Sequence, residues 1–265
     1  MTRIEQAKKE FATHGFTKLE GVFLGRRLAK VEAAVNAVCR APSPFFKRIK
    51  SKNGPGEFLM DFNNWRRLAE VKSLCFDKEL VTVVKAIADS SKCWIFHDHL
   101  LVKKGYAPST PWHQDRPYYI FKGDRNLSVW IPTCDVTPDL SLKFLVGSHK
   151  SNQLFVPRSF VDGAELGQRS DLDILTDEVI GRYPIESVPL KAGDVILFSN
   201  QVLHSAPAHD HSSDRAALSI RYLLDGALLT EQYINATPPF NKMGVKVAED
   251  GPIPEKFFPR ADQGL

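Results

Sequence analysis

The second half of the chain consists of short segments rich in β-branched and aromatic residues, separated by turns that contain Pro, Gly or Asp. The predicted strands are 94–103, 127–131, 142–146, 188–190, 194–199 and 215–224. This pattern is typical of an antiparallel sandwich or barrel. A long polar stretch at 150–185 interrupts the series and is predicted to form a crossover or a lid. The fold class is therefore mainly β, with a double-sheet core.

Helical patterns dominate the residues before this β-rich half, because apolar residues recur there at spacings of three and four. The predicted elements are helices at 3–14, 24–40 and 78–90, a strand at 16–19 and a loop at 50–57. We expect one domain over 1–265. Its predicted parts are a mostly helical segment at 1–92, a β core at 93–226 that includes the crossover, and a C-terminal segment at 227–265. From Ala236 this last segment is rich in Pro and Gly and is expected to wrap the surface.

Composition narrows the class of protein. Hydrophobic residues make up 43% of the 265 residues and charged residues 25%, values typical of a globular protein with a sizeable core. The net charge is only +4, and a basic cluster at 46–52 is too short to indicate nucleic acid, so we interpret it as a solvated loop. Four cysteines are widely spaced, and no apolar run approaches membrane-spanning length. We expect a cytoplasmic protein with reduced thiols and no membrane partner.

A candidate metal site is spread over two distant segments. His113 and Asp115 are two residues apart, so on an extended strand both side chains point to the same face. A His-x-Asp pair alone is more often a hydrogen-bonded pair than a metal site. His204, however, follows the apolar strand at 194–199 and supplies a second imidazole. Two histidines and a carboxylate occupy one face of an octahedral metal and leave three positions open, as in non-haem Fe(II) oxygenases.

An arginine-containing strand follows the second histidine. With a period of two, Arg215, Ala217, Ser219 and Arg221 share one face, and the small residues between the arginines leave room for a ligand. A guanidinium group binds a carboxylate through two parallel hydrogen bonds. The alternative is an arginine pair on a solvated face, with Asp214 as an ion-pair partner.

Taken together, these segments resemble the phytanoyl-CoA dioxygenase family of Fe(II)- and 2-oxoglutarate-dependent oxygenases. The resemblance covers most of residues 5 to 226. It rests on Trp112-His113-Gln114-Asp115, Pro117-Tyr118-Tyr119, Leu127-Ser128-Val129-Trp130-Ile131, Val146-Gly147-Ser148-His149-Lys150, Gly193-Asp194, His204 with an arginine eleven residues further on, and Ser219.

The resemblance implies a double-stranded β-helix, a cupin-like relative of the jelly roll. It implies Fe(II) as the metal, bound by His113, Asp115 and His204, and 2-oxoglutarate and O2 as co-substrates. Arg215 would pair with the C5 carboxylate of 2-oxoglutarate, and Ser219 and Trp130 would line its pocket. The implied reaction is hydroxylation of a small molecule, a metabolite or natural product, with release of succinate and CO2.

Two positions depart from the family pattern. The loop before Gly147 reads Asp139-Leu140-Ser141-Leu142, which reshapes one wall of the expected site. Ala206 stands where a small hydroxyl residue is common near 2-oxoglutarate, so one secondary hydrogen bond is in doubt.

Four residues are candidates for contact with the primary substrate. Arg221 lies deeper along its strand than Arg215 and is a candidate contact for an anionic group on the substrate, although a buried ion pair is the alternative. Tyr118, Tyr119 and Phe121 follow the metal motif and are predicted to line a pocket or lid, with a core role as the alternative.

The other polar residues in and just after the strand at 94–103 are not assigned to the metal site. His97 and His99 share a face without a matching carboxylate and are assigned a structural or pocket role. Lys103 and Lys104 are interpreted as a solvated strand end.

Two rival functions stay open from the sequence. Arg215 and Arg221 also resemble the paired arginines of nucleic-acid demethylases in the wider 2-oxoglutarate superfamily, although the modest charge argues against a nucleic-acid partner. A non-catalytic, cupin-like module that retains a metal is the other alternative. The sequence leaves the substrate and the oligomeric state open.

Overall fold

The computed structural model describes residues 2–51, 54–167, 169–233 and 238–264, and within these ranges thirteen strands form three antiparallel sheets. The strands are β1 (Phe16–Leu19), β2 (Lys47–Lys50), β3 (Glu57–Phe62), β4 (Cys93–Lys103), β5 (Thr110–His113), β6 (Phe121–Lys122), β7 (Asn126–Pro132), β8 (Lys143–Leu145), β9 (Ile185–Ser187), β10 (Val195–Ser199), β11 (His204–Ala206), β12 (Arg215–Leu224) and β13 (Leu228–Leu229).

The large sheet has seven strands in the order β1-β10-β7-β12-β4-β3-β2, and the small sheet has four in the order β5-β11-β8-β9. Strands β6 and β13 pair separately. Apart from β2 and β3, neighbours in each sheet come from distant parts of the sequence, as in a jelly roll. The predicted fold class, mainly β with a double-stranded β-helix core, is confirmed.

Five α-helices occur in the described ranges: α1 (Arg3–His14), α2 (Arg26–Arg40), α3 (Ala69–Cys75), α4 (Lys78–Ile87) and α5 (Asp177–Gly181). Thr2 and Glu5 form a reciprocal capping box that fixes the start of α1, and Gly15 ends the helix at a φ of 90°. No helix in the described part of the chain combines the length and the apolar character needed to cross a bilayer.

The helices cover one face of the large sheet and leave the other free for the site. Val31 and Val35 of α2 and Val84 of α4 belong to the same buried cluster as Leu218 and Ile220 of β12. Because side chains alternate along a strand, the odd-numbered residues of this part of β12 point to the opposite face from Leu218 and Ile220. Arg215 and Arg221 therefore lie on the side that faces the small sheet.

The N-terminal segment corrects two expectations. Residues 1–92 were expected to be mostly helical with one strand at 16–19, which is β1, but β2 and β3 are two further strands of the large sheet in this segment. The basic cluster, expected to be a solvated loop, forms edge strand β2, in which Ile49 is buried between exposed Lys and Arg side chains. Charged residues on an edge strand protect it from pairing with other chains, and here they concealed the alternation. Lys52 of the cluster lies outside the described residues.

Two expectations about the later segments also change. Residues 188–190 form only an isolated bridge between Leu190 and Val136, and the strand that pairs with β8 is β9, three residues earlier. Ala236, where the surface wrap was expected to begin, lies outside the described residues. Further on, Phe240 and Phe258 are buried against Phe96, so this part of the C-terminal segment contributes to a core cluster.

Candidate metal centre and ligand cavity

A cavity of about 1050 Å³ lies between the two sheets. Strands β4 and β12 of the large sheet and β5 and β11 of the small sheet provide its inner walls. Phe160 and Leu166 from the crossover at 150–185 and Lys242 from the C-terminal segment border it on other sides. A cavity enclosed by segments this far apart in sequence is suited to a small molecule.

The predicted His-Asp-His set converges at one end of this cavity. His113 ends β5 and His204 begins β11, and the two residues are direct partners in the small sheet, with ring centroids 4.2 Å apart. Asp115 follows two residues after β5. One ligand atom from each residue lies within 4.8 Å of the others, and all three residues are buried. The sheet register thus brings together side chains separated by about ninety positions.

The two imidazoles are oriented as metal ligands. His113 Nδ1 lies 2.8 Å from the Pro111 carbonyl oxygen, and His204 Nδ1 lies 3.0 Å from that of Val202. A proton on each Nδ1 satisfies these bonds and leaves the Nε2 lone pair free, which is the usual state of a metal-binding histidine. Burial lowers the pKa of His113 to about 3, with a contribution from His204, so His113 is neutral at physiological pH.

Asp115 has one oxygen engaged and one free. Oδ2 accepts hydrogen bonds from Ser128 Oγ at 3.2 Å and Arg221 Nη2 at 3.4 Å, whereas Oδ1 faces His113 Nε2 at 3.9 Å. Burial alone would raise the pKa of Asp115, but the Arg221 guanidinium and the two imidazoles outweigh it and hold the pKa well below its usual value. The site therefore offers two neutral nitrogens and one carboxylate oxygen, a donor set that fits Fe(II).

Arg221 is committed to this carboxylate. Besides its bond to Asp115, its Nε donates to the Tyr119 hydroxyl at 2.7 Å. The buried ion pair, which the sequence left as the alternative to a substrate contact, is what the structure contains. Only Nη1 has no hydrogen-bond partner among the described residues.

Arg215 is different, although it shares the same strand face. It is buried and lines the cavity, with its guanidinium carbon 5.7 Å from the Trp130 ring centroid. Nη1 donates to the Leu140 carbonyl, in the loop that departs from the family pattern. Among the described residues no carboxylate lies within ion-pair distance of Arg215, and Asp214 accepts from the Gly105 backbone instead. Ser219, paired with Trp130 in the sheet, has a buried hydroxyl without a partner in the described part.

The three predicted aromatic contacts have different surroundings. Tyr118 lines the cavity, and its hydroxyl donates to the Arg158 carbonyl at 2.8 Å, which ties the crossover to the metal motif. Tyr119 also lines the cavity but is held by Arg221. The expectation for Phe121 is wrong: its side chain is 1% exposed and packs against Phe96 and Phe258 in the core. The chain bends at Tyr119 and Ile120 before β6 begins, so the direction of Tyr119 is not carried on to Phe121.

Strand β4 provides three polar side chains to the cavity, and a pocket role was predicted as one option for His97 and His99 but not for Lys103. His97, His99 and Lys103 all line the cavity. They are direct partners of Arg221, Ser219 and Arg215 in β12 and therefore lie on the same face of the large sheet as the two arginines. The same period-two reading that was applied to β12 finds them. Asp98 points the other way and accepts from the Trp65 backbone at 2.7 Å.

The fold and the triad together define the class of protein. A double-stranded β-helix that carries two histidines and a carboxylate beside a cavity, together with an arginine that has no acidic partner among the described residues, is the architecture of an iron- and 2-oxoglutarate-dependent oxygenase. The family model described as Phytanoyl-CoA dioxygenase (PhyH) matches residues 11–217. The chain belongs to this family.

Solved structures share the whole fold. The α-ketoglutarate-dependent epimerase SnoN from nogalamycin biosynthesis has a TM-score of 0.76 at 19% identity, covering 97% of this chain and 98% of SnoN. The carbocyclase SnoK from nogalamycin biosynthesis has a TM-score of 0.74 at 20% identity, with coverage of 98% and 96%. EctD from S. alaskensis has 0.67 at 19% identity, with coverage of 88% and 80%.

No curated protein matches the chain in sequence.

SnoN has also been solved in complex with Fe3+, α-ketoglutarate and nogalamycin RO. Family membership and the triad confirm iron and 2-oxoglutarate as the cofactors, and the chain is an enzyme of the oxygenase superfamily that uses them.

Proposed function

We propose that this enzyme hydroxylates a small organic molecule, with His113, Asp115 and His204 as the iron ligands. The observation that carries the proposal is the convergence of two Nε2 atoms and one free carboxylate oxygen, all buried, at the wall of a large cavity. When bound, iron with 2-oxoglutarate and O2 supplies the oxidation of a C–H bond, with release of succinate and CO2.

Three residues are proposed to hold 2-oxoglutarate. Arg215 receives the C5 carboxylate, because its guanidinium is buried in the cavity and lacks an acidic partner among the described residues. Ser219 is a secondary candidate, because its buried hydroxyl has no partner among the described residues, although the side chain does not itself line the cavity, and Trp130 packs beside the guanidinium. In this arrangement the protein positions the ligand before the substrate enters.

Arg221 and Tyr119 are proposed to position Asp115 rather than to bind substrate. Their chain of hydrogen bonds holds one carboxylate oxygen and leaves the other directed at the site of the metal. Partners that orient a metal ligand in this way also affect metal affinity. This role replaces the substrate contact expected for Arg221.

The substrate is proposed to be larger than 2-oxoglutarate and to carry an anionic group. Phe58, Phe62 and Phe160 provide aromatic walls, and Tyr118 ties the crossover over the cavity. Cationic side chains also border the outer part of the cavity, whereas Asp115 is the only carboxylate among its described lining residues. The cations concerned are Lys47, Arg48, Arg158 and Lys242. We propose a bulky natural product as the substrate class, since SnoN, which shares the fold, binds the compound nogalamycin RO.

Binding of the cofactors is the first test. Anaerobic titration of the apoprotein with Fe(II) and 2-oxoglutarate should produce the weak visible charge-transfer band of the chelate. His113→Ala should abolish the band. A wild-type protein that binds Fe(II) and 2-oxoglutarate without giving this band would contradict the proposed site.

The type of reaction needs a second test, because epimerisation and ring closure are the activities named for SnoN and SnoK. A metabolite panel should be screened for substrate-dependent succinate, and the product mass measured under 18O2. Hydroxylation adds one labelled oxygen, epimerisation leaves the mass unchanged, and ring closure removes two hydrogens. Steeply salt-dependent binding to oligonucleotides would instead support the nucleic-acid alternative.

A further inference from the structure

Lys103 is the least expected cation of the cavity. It is the last residue of β4, where the sequence predicts a solvated strand end, yet it is 1% exposed and lines the cavity. Its neighbour Lys104 is exposed, as expected for the opposite face. The expectation for Lys103 was wrong because a strand end is solvated only when nothing covers it. Here Pro207, which follows β11, covers it.

The surroundings of Lys103 do not neutralise its charge. Nζ donates to the Pro207 carbonyl at 2.5 Å and lies 5.6 Å from the centroid of the Phe58 ring. Among the described residues no carboxylate lies within ion-pair distance of Nζ. A buried ammonium without an anion is costly, and burial together with Arg215 lowers the pKa of Lys103 well below its usual value.

Lys103 and Arg215 occupy the same place in the fold. They are direct partners in the pairing of β4 with β12, and both line the cavity. Arg215 also lacks an acidic partner in the described ranges. The one carboxylate of the described cavity wall, Asp115, is paired with Arg221 six residues further along β12. Two adjacent buried cations therefore have no counter-ion among the residues that the structure describes.

We propose that Lys103 and Arg215 together bind the C5 carboxylate of 2-oxoglutarate. This inference rests on the proposed function and adds a second cation to it. An arginine presents a planar fork to a carboxylate, and a lysine adds point-like donors, two of which remain after the bond to Pro207. A carboxylate has about four lone-pair sites, so the two side chains do not compete.

The test compares two ligands that differ only in this carboxylate. 2-Oxopentanoate has the same five-carbon chain and the same chelating end as 2-oxoglutarate but ends in a methyl group. Affinities of both are measured by anaerobic titration of the Fe(II) protein, using calorimetry and the charge-transfer band. The variants are Lys103→Met and Lys103→Gln, and Lys104→Met is the matched control on the exposed face.

Lys103→Met is expected to weaken 2-oxoglutarate binding by roughly 10-fold to 100-fold, the range for a hydrogen bond to a charged group. Its affinity for 2-oxopentanoate should stay unchanged, and Lys104→Met should affect neither ligand. Lys103→Gln removes the charge but retains an N–H donor for the Pro207 carbonyl. It should therefore show the same loss of affinity, and it keeps the test valid if Lys103→Met disturbs the fold. Wild-type affinity for 2-oxoglutarate in both Lys103 variants, or equal losses for both ligands, would overturn the inference.

A second readout separates charge from packing. Because the ammonium is destabilised without an anion, binding of 2-oxoglutarate should raise the pKa of Lys103, so protons should be taken up on binding over the pH range in which Lys103 is partly deprotonated in the free protein. Calorimetry in buffers of different ionisation enthalpy measures this uptake, which should disappear in Lys103→Gln.

The variant Arg215→Met distinguishes failure of this inference from failure of the proposed function. If it weakens 2-oxoglutarate binding and Lys103→Gln does not, only the role of Lys103 is lost, and if the wild type does not bind at all, the proposed function is lost.

Discussion

The two ends of the cavity have opposite electrostatics. At the metal end, Arg221 is paired with Asp115 and hydrogen-bonded to Tyr119, so its charge is compensated by the protein. At the far end, Arg215 and Lys103 have no carboxylate partner in the described part of the chain. The arginines share one face of one strand, six residues apart. The charge of Arg221 at the metal end is therefore compensated without 2-oxoglutarate. At the far end, the charges of Arg215 and Lys103 would be compensated by the C5 carboxylate of this ligand.

Removal of Asp115 should have the largest effect. Asp115→Ala deletes a metal ligand and leaves Arg221 buried without an anion, so Fe(II) affinity should fall by more than about 100-fold and the apoprotein should lose about 3–5 kcal/mol of unfolding free energy. Metal titration and urea denaturation measure the two losses. The double variant Asp115→Leu with Arg221→Met should recover most of the stability but no metal binding. Failure of this recovery would mean that the pairing is not what stabilises the metal end.

Arg215→Met tests the other end and should show the reverse pattern. We expect the affinity for 2-oxoglutarate to fall by roughly 10-fold to 100-fold, because a charge-assisted pair is lost. The free energy of unfolding of the apoprotein should stay the same or rise, because an unpaired buried charge is removed. Arg221→Met is the matched control and should destabilise the apoprotein instead. Equal destabilisation by both substitutions would remove the contrast between the two ends.

Acid should destabilise the protein through the buried imidazole of His97, which lies beside Arg221. Burial and the repulsion from Arg221 lower the pKa of His97 to about 3 in the folded state. Unfolded chains therefore bind more protons between pH 6.5 and 3, so stability falls as the pH falls through this window, by about 1.4 kcal/mol per pH unit for this residue. Urea denaturation from pH 7 to pH 5 should give a shallower slope for His97→Phe than for the wild type. The same slope in both proteins would mean that His97 is not kept neutral by the fold.

The smallest expected effect is at Tyr119. Tyr119→Phe removes the hydroxyl that accepts from Arg221 but leaves the ion pair with Asp115, so about 1 kcal/mol of stability and a several-fold loss of Fe(II) affinity are expected. Affinity for 2-oxoglutarate at saturating metal should not change, because the far end is intact. Tyr118→Phe is the comparison, since that hydroxyl bonds the crossover rather than Arg221.

Much of the candidate site could be predicted from the sequence because its determinants are local. Alternation along β12 predicted that Arg215 and Arg221 share a face, and the strand before His204 predicted its delivery into the core. The spacing of His113 and Asp115 predicted their shared direction. The structure brings these residues to one cavity. The same alternation placed His97 and His99 on one face of β4 and left a structural or a pocket role open, and the structure shows that both line the cavity.

What the sequence determined by itself was the set of donors and the phase of each strand, because both depend on residues that are close in the chain. Only the tertiary structure decided which charges are compensated. Arg221 meets Asp115 across 106 positions, Pro207 covers Lys103 across 104, and Phe121 packs against Phe258 of the C-terminal segment. Burial and pairing depend on which distant segments pack together, and strand periodicity carries no information about that choice.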